Sequence, residues 1–272
     1  MVRRPDEAFP GADPGLWHYS SRPELAAAQQ EHDALVAILR AAGAEVLYHD
    51  MAMPEHADSI FVHDPALVSD AGAIILRMGK ELRRGEEQAM AEVLEQIGVP
   101  IHARLEEPAV AEAGDLMWLD HDSLAVGLGF RTNIAALQQL AAALDPLGAK
   151  VTPVSLPYGA GPDACLHLMS LISMVDHDLA VVYLPLLPVP FVELLATRGI
   201  DLVEIPEQEF PTMGPNVLAL APRRCLMLEG NPITARRLEE AGCTVDTYRG
   251  NELSLKAEGG PTCLTRPIYR SQ

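Results

Sequence analysis

Cys263 stands in the segment GGPTCLTRPI, residues 259–268, behind two glycines and a proline that constrain the backbone around one thiol. A free cysteine is usually a small buried hydrophobe. One delivered this way is also a candidate nucleophile, and a thiol nucleophile needs a base and groups that hold its target. Polar residues of the right types interrupt three apolar runs. ADSIFVHD carries Asp58, His63 and Asp64, AEAGDLMW carries Glu112 and Asp115, and CLHLMS carries His167. Together with Cys263 they make a thiol, an imidazole and a carboxylate set, which is sufficient for covalent chemistry on a cationic carbon centre. The remaining histidines (His18, His32, His49, His56, His102, His121 and His177) and Cys165, Cys225 and Cys243 read as structural, because none falls at a matching place.

The elements that must position this set are written as a repeat. ALVAILRAAGAEVLY has apolar residues at helical spacing, then Gly43, then a strand-like run. The same pattern recurs around Gly98, Gly148, Gly199 and Gly242, at intervals of 55, 50, 51 and 43 residues. Glycine just past a helix takes the left-handed capping conformation without a Cβ penalty, so each marks a helix end and a strand start. About 18 residues further on, paired short apolar runs such as GDLMWLD and DSLAVGLG read as buried strands. Each unit is therefore strand, strand, helix, strand. Five such units cannot bury their apolar faces singly, so an α/β five-bladed propeller with pseudo-fivefold symmetry is expected, spanning 1–272 as a single catalytic domain. The chemistry-bearing residues fall at corresponding points of the repeat, which brings them together at the axis, with Cys263 on the last short strand.

Composition narrows the function classes. Of 272 residues, 49% are apolar, enough for a sizeable core, and the formal charge of −18 opposes binding to nucleic acid or to an anionic membrane surface. No apolar run approaches the length needed to span a bilayer, and MVRRPDEAFPGADP lacks the apolar stretch of a secretory signal. Four cysteines without zinc-ligand spacing suggest free thiols in a reducing cytoplasm, with no metal and no cofactor expected. The acidity suits a small cationic ligand, and homo-oligomerisation is compatible with it. GLGFRTN offers only GxG, in the wrong context for a dinucleotide fold.

DSIFVHD, EAGDLMW, RTN, LHL and GGPTCLT together resemble signature segments of the dimethylarginine dimethylaminohydrolases. These belong to the guanidino-group-modifying (pentein) superfamily, with the arginine deiminases and amidinotransferases, and the likeness covers essentially the whole chain. The resemblance implies a five-bladed αβ propeller and a metal-independent covalent mechanism. It implies that Cys263 is the nucleophile, that His167 is the general acid/base, and that Asp64 and Glu112 hold the guanidinium. Asp58 is similar to a residue at the substrate's amino-acid end, and Arg83 and Arg131 resemble arginines that pair with its carboxylate; Arg84 is adjacent to the first. His63 stands where many relatives carry a carboxylate. Met169 stands where deiminases and amidinotransferases have an aspartate, which favours a dimethylargininase-like hydrolase. An amidinotransferase or a deiminase is the alternative within the superfamily, and a non-catalytic ribosome-binding propeller the alternative outside enzymes. PGADPGLWHYSSRP, with Trp17 and Tyr19, is expected to lie over the cavity as a loop.

Overall fold

The computed structural model describes residues 1–162 and 164–269. The predicted repeat is present as four three-stranded sheets of one design. β1 (Ala66–Ser69), β2 (Gly72–Ile75) and β3 (Ile101–Arg104) form the first; β4 (Leu116–Asp120), β5 (Ser123–Leu128) and β6 (Lys150–Ser155) the second. β7 (Ile172–Asp176), β8 (Leu179–Val182) and β9 (Asp201–Glu204) form the third, and β10 (Leu218–Ala221), β11 (Arg224–Leu228) and β12 (Thr244–Tyr248) the fourth. In each, the first two strands pair antiparallel as a hairpin and the second pairs parallel with the third. A parallel return needs a crossover. It is supplied by α4 (Glu86–Gln96), α5 (Ile134–Leu144), α6 (Val189–Thr197) and α7 (Pro232–Glu240) in turn. Gly43, Gly98, Gly148, Gly199 and Gly242 all have positive φ, at 92°, 82°, 75°, 72° and 85°, as left-handed helix ends require.

The chain's two ends lie outside these four sheets. α3 (Leu25–Ala41) follows two one-turn helices, α1 (Ala8–Gly11) and α2 (Pro14–Trp17). Val2 bridges Tyr48 in parallel, and Met1 and Arg266 exchange backbone hydrogen bonds of 2.7 and 2.9 Å. This part contains that one bridge and no full sheet among the described residues. Apolar faces of the four sheets and α3 are buried in clusters that include Leu35, Leu124, Leu140, Val181, Met227 and Leu226.

Two segments expected as strands are not. DSIFVHD begins as a 3-10 turn at Ala57–Ile60, and Cys263 lies in a helical turn closed by Leu264 N donating to Gly260 O at 3.1 Å. His167 is extended (φ −97°, ψ 164°) but precedes β7, separated from it by a 3-10 turn at Leu168–Ser170. In these segments Asp58, Thr262 and His167 hydrogen-bond through their side chains to distant residues, and among the described residues no strand pairs with them.

Candidate active site

A cavity of about 570 Å³ is bordered by Cys263, His167, Asp64, Asp58, His63, Arg83 and Arg131, together with Lys80, Trp17, Met169 and Asn216. The two glycines before Cys263 are there for lack of bulk. A Cβ on Gly259 would lie 2.0 Å from the Phe61 ring, and one on Gly260 would lie 2.4 Å from the Asn216 side chain. That close approach lets Asn216 Oδ1 accept from Thr262 N (3.1 Å) and Thr262 Oγ1 (2.7 Å), while its Nδ2 donates to Cys263 Sγ at 3.5 Å. The thiol is thus held by an amide that also pins its turn. Burial pushes the Cys263 thiol above its ordinary pKa; Asp64 adds to this, and the charge of His167 opposes it.

His167 Nε2 donates to Glu112 Oε2 at 2.8 Å, and its Nδ1 lies 3.6 Å from Cys165 Sγ. Gly114 makes room for the ring, since a Cβ there would be 2.4 Å from Nδ1. Burial disfavours a charged imidazole. The Cys165 sulfur, Asp115 and Glu112 outweigh it, and the His167 pKa stands well above its ordinary value. Glu112 is fully buried and also accepts from Lys80 N at 2.8 Å and Arg131 Nη1 at 3.2 Å. Despite its burial, the hydrogen bond from His167 and the Arg131 charge hold its carboxyl well below the usual range. Asp115 lies beneath, its Oδ1 accepting from Leu168 N at 2.9 Å; burial raises its pKa to about 6.

The two carboxylates, Asp64 and Glu112, occupy different places. Asp64 borders the cavity, with Oδ2 on Arg83 Nη1 (2.6 Å) and Oδ1 accepting from Gly114 N (3.0 Å). Glu112 lies behind His167, whose Nε2 it holds, and is not among the residues bordering the cavity. Arg83 also borders the cavity; it is 3% exposed and bonded to Glu86 (3.1, 3.0 and 2.7 Å), Asp64 and the Phe61 carbonyl (3.1 Å), which makes it a brace for Asp64. Arg84 points elsewhere, toward Glu81 at 3.7 Å, and does not border the cavity. Arg131 gives Nη1 to Glu112, while its other N–H groups have no hydrogen-bonded acceptor among the described residues.

His63 Nδ1 faces Thr265 O at 3.1 Å; a carbonyl only accepts, so Nδ1 carries the proton. Nε2 is then a lone-pair acceptor, and it has no partner among the described residues. Burial, with Arg266 beside it, lowers the His63 pKa to about 3, so the ring is neutral. Asp58 accepts from Tyr19 Oη (2.7 Å) and Lys80 Nζ (2.6 Å). Trp17 and His18 border the cavity from the segment expected to cover it, and Tyr19 braces Asp58 from behind.

Three residues escaped the sequence reading. Asn216 sits in PNVLALA, the fourth unit's counterpart of the other polar-bearing runs, so the repeat register carried the signal. Lys80 opens KELRRGEE, beside the arginine singled out there, and had no register to mark it. Cys165, read as structural, is exposed at the cavity, two residues before His167.

Comparison with known proteins decides the family. A sequence model described as "N,N dimethylarginine dimethylhydrolase, eukaryotic" matches residues 17–268. The chain belongs to this family. It is 33% identical to the N(G),N(G)-dimethylarginine dimethylaminohydrolase of Streptomyces coelicolor over 99% of this chain and 97% of that one. The Pseudomonas aeruginosa enzyme of the same name is 29% identical over 90% and 89% of the two chains. A solved structure of a cysteine-to-serine mutant of the Pseudomonas aeruginosa enzyme, complexed with citrulline, superposes with a TM-score of 0.80 at 27% identity, covering 97% and 96% of the chains. The N-terminal domain of a cyanobacterial arginine dihydrolase, 19% identical, shares the fold with a TM-score of 0.85 over 98% and 96%. Membership makes the protein a hydrolase acting on C–N bonds of linear amidines, with a substituted guanidino compound as substrate and a ureido, citrulline-type product. Among the described residues no helix is long and apolar enough to cross a membrane.

Proposed function

We propose that Cys263 is the nucleophile of this hydrolase and His167 its general acid/base, acting on a guanidino compound of the dimethylarginine type. The observation that carries this reading is one cavity bordered by a thiol, an imidazole with raised pKa and a braced carboxylate, Asp64. The guanidinium lies against Asp64, which keeps lone pairs free of Arg83 and Gly114, and one of its N–H groups reaches the neutral Nε2 of His63. Its positive charge lowers the cost of ionising Cys263, whose thiol is otherwise held protonated by burial and Asp64.

The Cys263 thiolate attacks the guanidinium carbon, and the C–N bond to the departing amine breaks as His167 gives that nitrogen its proton. The intermediate is a thiouronium on Cys263. Neutral His167 then takes a proton from water and the hydroxide adds to the same carbon; on collapse the C–S bond breaks, the added hydroxyl gives its proton to the departing sulfur, and the ureido product and the Cys263 thiol are released. Glu112 keeps Nε2 of His167 protonated throughout, leaving Nδ1 to face the cavity. Met169 borders the cavity and accommodates an alkyl substituent on the guanidinium, as a hydrolase of methylated guanidines requires. Arg131 meets the substrate's carboxylate.

We infer further that 1–272 is one domain. In it the two chain ends, α3 and the Val2–Tyr48 bridge complete a fifth blade around a pseudo-fivefold axis. Four unpaired thiols agree with a reducing, cytoplasmic setting.

The test is ureido product formation from arginine, its methylated forms, agmatine and guanidino acids, with Cys263→Ser beside the wild type. Turnover lost in Cys263→Ser with the fold intact, and kept within a few-fold in Cys243→Ala, supports the reading. Retained activity in Cys263→Ser refutes it.

A further inference from the structure

Asp58 is the residue expected to receive a substrate's α-ammonium, yet in this protein the place is taken. Lys80 Nζ donates to Asp58 Oδ2 at 2.6 Å and Tyr19 Oη to Oδ1 at 2.7 Å. The lysine is fixed by two further contacts, a hydrogen bond to Trp17 O at 3.0 Å and the Trp17 ring, whose centroid is 4.8 Å from Nζ. Its side chain is 12% exposed, and both it and Asp58 border the cavity. The charges of Asp58 and Lys80 cancel, so this corner exerts no net attraction on an ammonium group. A second ammonium brought to Asp58 would lie beside Lys80 in a site of reduced dielectric, where like charges repel strongly. An ammonium has three N–H donors. Asp58 and Trp17 O take two of Lys80's, leaving the third for a ligand acceptor. Arg131 borders the same cavity with donors unused, and Glu112 ties it to Lys80 by accepting from Arg131 Nη1 and the Lys80 backbone N–H. Arg83 adds nothing, being committed to Glu86 and Asp64.

We propose that Lys80 is a specificity-determining residue that substitutes for the substrate's own ammonium at Asp58. The preferred substrate is then an ω-guanidino carboxylate without an α-amino group, its carboxylate received by Lys80 and Arg131. This rests on the hydrolase reading above and narrows its substrate. The anionic end supplies the attraction, and the guanidinium at the other end meets Asp64 and Cys263. Dimethylarginine and arginine fit the reacting end but carry an ammonium that Lys80 repels.

The experiment compares kcat/KM for two matched pairs, read as ureido product. The pairs are Nω,Nω-dimethyl-L-arginine against its desamino counterpart, and L-arginine against 5-guanidinopentanoate. Wild type is expected to favour the desamino member of the better pair by at least about tenfold, the effect of one unfavourable charge contact of ~1.4 kcal/mol. Lys80→Met keeps the aliphatic stem over Trp17 and removes the charge; it is expected to reverse the order, because Asp58 is freed to take the α-ammonium. Lys80→Ala checks the same reversal without the stem. Wild type favouring the amino acids, or treating the members alike, overturns the proposal and leaves the hydrolase reading standing. A desamino preference that both variants preserve removes Lys80 as its cause and equally overturns the proposal. Absence of ureido product from all four compounds overturns both readings.

Discussion

Replacing Glu112 by glutamine separates charge from shape at the centre of the site. Gln Oε1 can still accept from Lys80 N and Arg131 Nη1, which face Glu112 Oε1 at 2.8 and 3.3 Å. The amide nitrogen then stands where Oε2 was, 2.8 Å from His167 Nε2 and 3.2 Å from Arg131 Nη1, as a donor facing donors. His167 must surrender its Nε2 proton to accept from that amide, which makes it neutral and removes the general acid. A buried charge pair broken on one side costs about 3–5 kcal/mol. The retained Lys80 contact places Glu112→Gln near the lower end. For a chain of this size that is a fall in Tm of roughly 6–12 °C. Loss of a positioned acid costs roughly 10²–10⁴ in kcat. The pH behaviour is the sharper reading. The folded pKa of His167 is raised, so its contribution to stability is complete below pH ~6.5 and lost as pH climbs through the folded pKa. Glu112→Gln should therefore flatten the alkaline decline in stability and move the alkaline limb of kcat/KM to lower pH. Urea denaturation and initial rates across pH 5–10 (roughly the span over which imidazole and thiol titrate) measure both. A variant with kcat within tenfold of wild type and an unmoved alkaline limb would refute the role given to Glu112, whatever its Tm.

His167→Ala should lose roughly 10²–10⁴ in rate, with a covalent adduct on Cys263 accumulating in mass spectra wherever attack outlasts hydrolysis; near-normal turnover would remove His167 from the mechanism. Asn216→Ala should lower kcat by roughly tenfold or more with little change in KM, since a small displacement of a reacting group is costly; a change confined to KM would show that Asn216 does not hold the nucleophile. Acid should destabilise the fold through three buried histidines, because burial lowers the pKa of His63 to about 3 and of His32 and His49 to about 4; Asp115 and Glu86, raised by burial to about 6 and about 7, work in the opposite direction and offset part of this. Lowered histidine pKa values mean that the unfolded chain binds more protons below pH ~6.5, so stability falls with pH at about 1.4 kcal/mol per unit for each histidine; urea midpoints that stay level between pH ~6.5 and ~5 would contradict it.

The repeat was legible because it is carried by backbone chemistry that few residues can supply. Glycine at 43, 98, 148, 199 and 242 marks a left-handed helix end in every case, and helix, strand and hairpin follow from those marks. The exceptions are the segments at Asp58 and Cys263, where apolar composition suggested strands. Asp58 turns to Tyr19 and Lys80, and Asn216 reaches across to pin Thr262. Such long-range side-chain bonds override local β preference, and nothing within either segment announces the partner. Arg83 carries a nearer signal: Glu86 stands three residues on, at a spacing that pairs side chains on a helical turn, and the two are joined at 2.7 Å.

The resting electrostatics explain why thiol and imidazole are placed apart from a direct ion pair. Cys263 has a raised pKa and His167 is held charged by the Cys165 sulfur, Asp115 and Glu112, so the unliganded site stores a thiol and an imidazolium. Had Cys263 been ionised at rest, it would be a nucleophile toward any electrophile entering a cavity of about 570 Å³. In the proposed mechanism the missing positive charge arrives with the guanidinium, which would sit between Asp64 and the sulfur and shift the thiol toward thiolate only when the correct carbon is in place. The proton needed for the departing amine is already on His167. Asp64, by raising the resting thiol pKa and attracting the cation, serves both halves of this arrangement, which is why Arg83 must fix it so firmly.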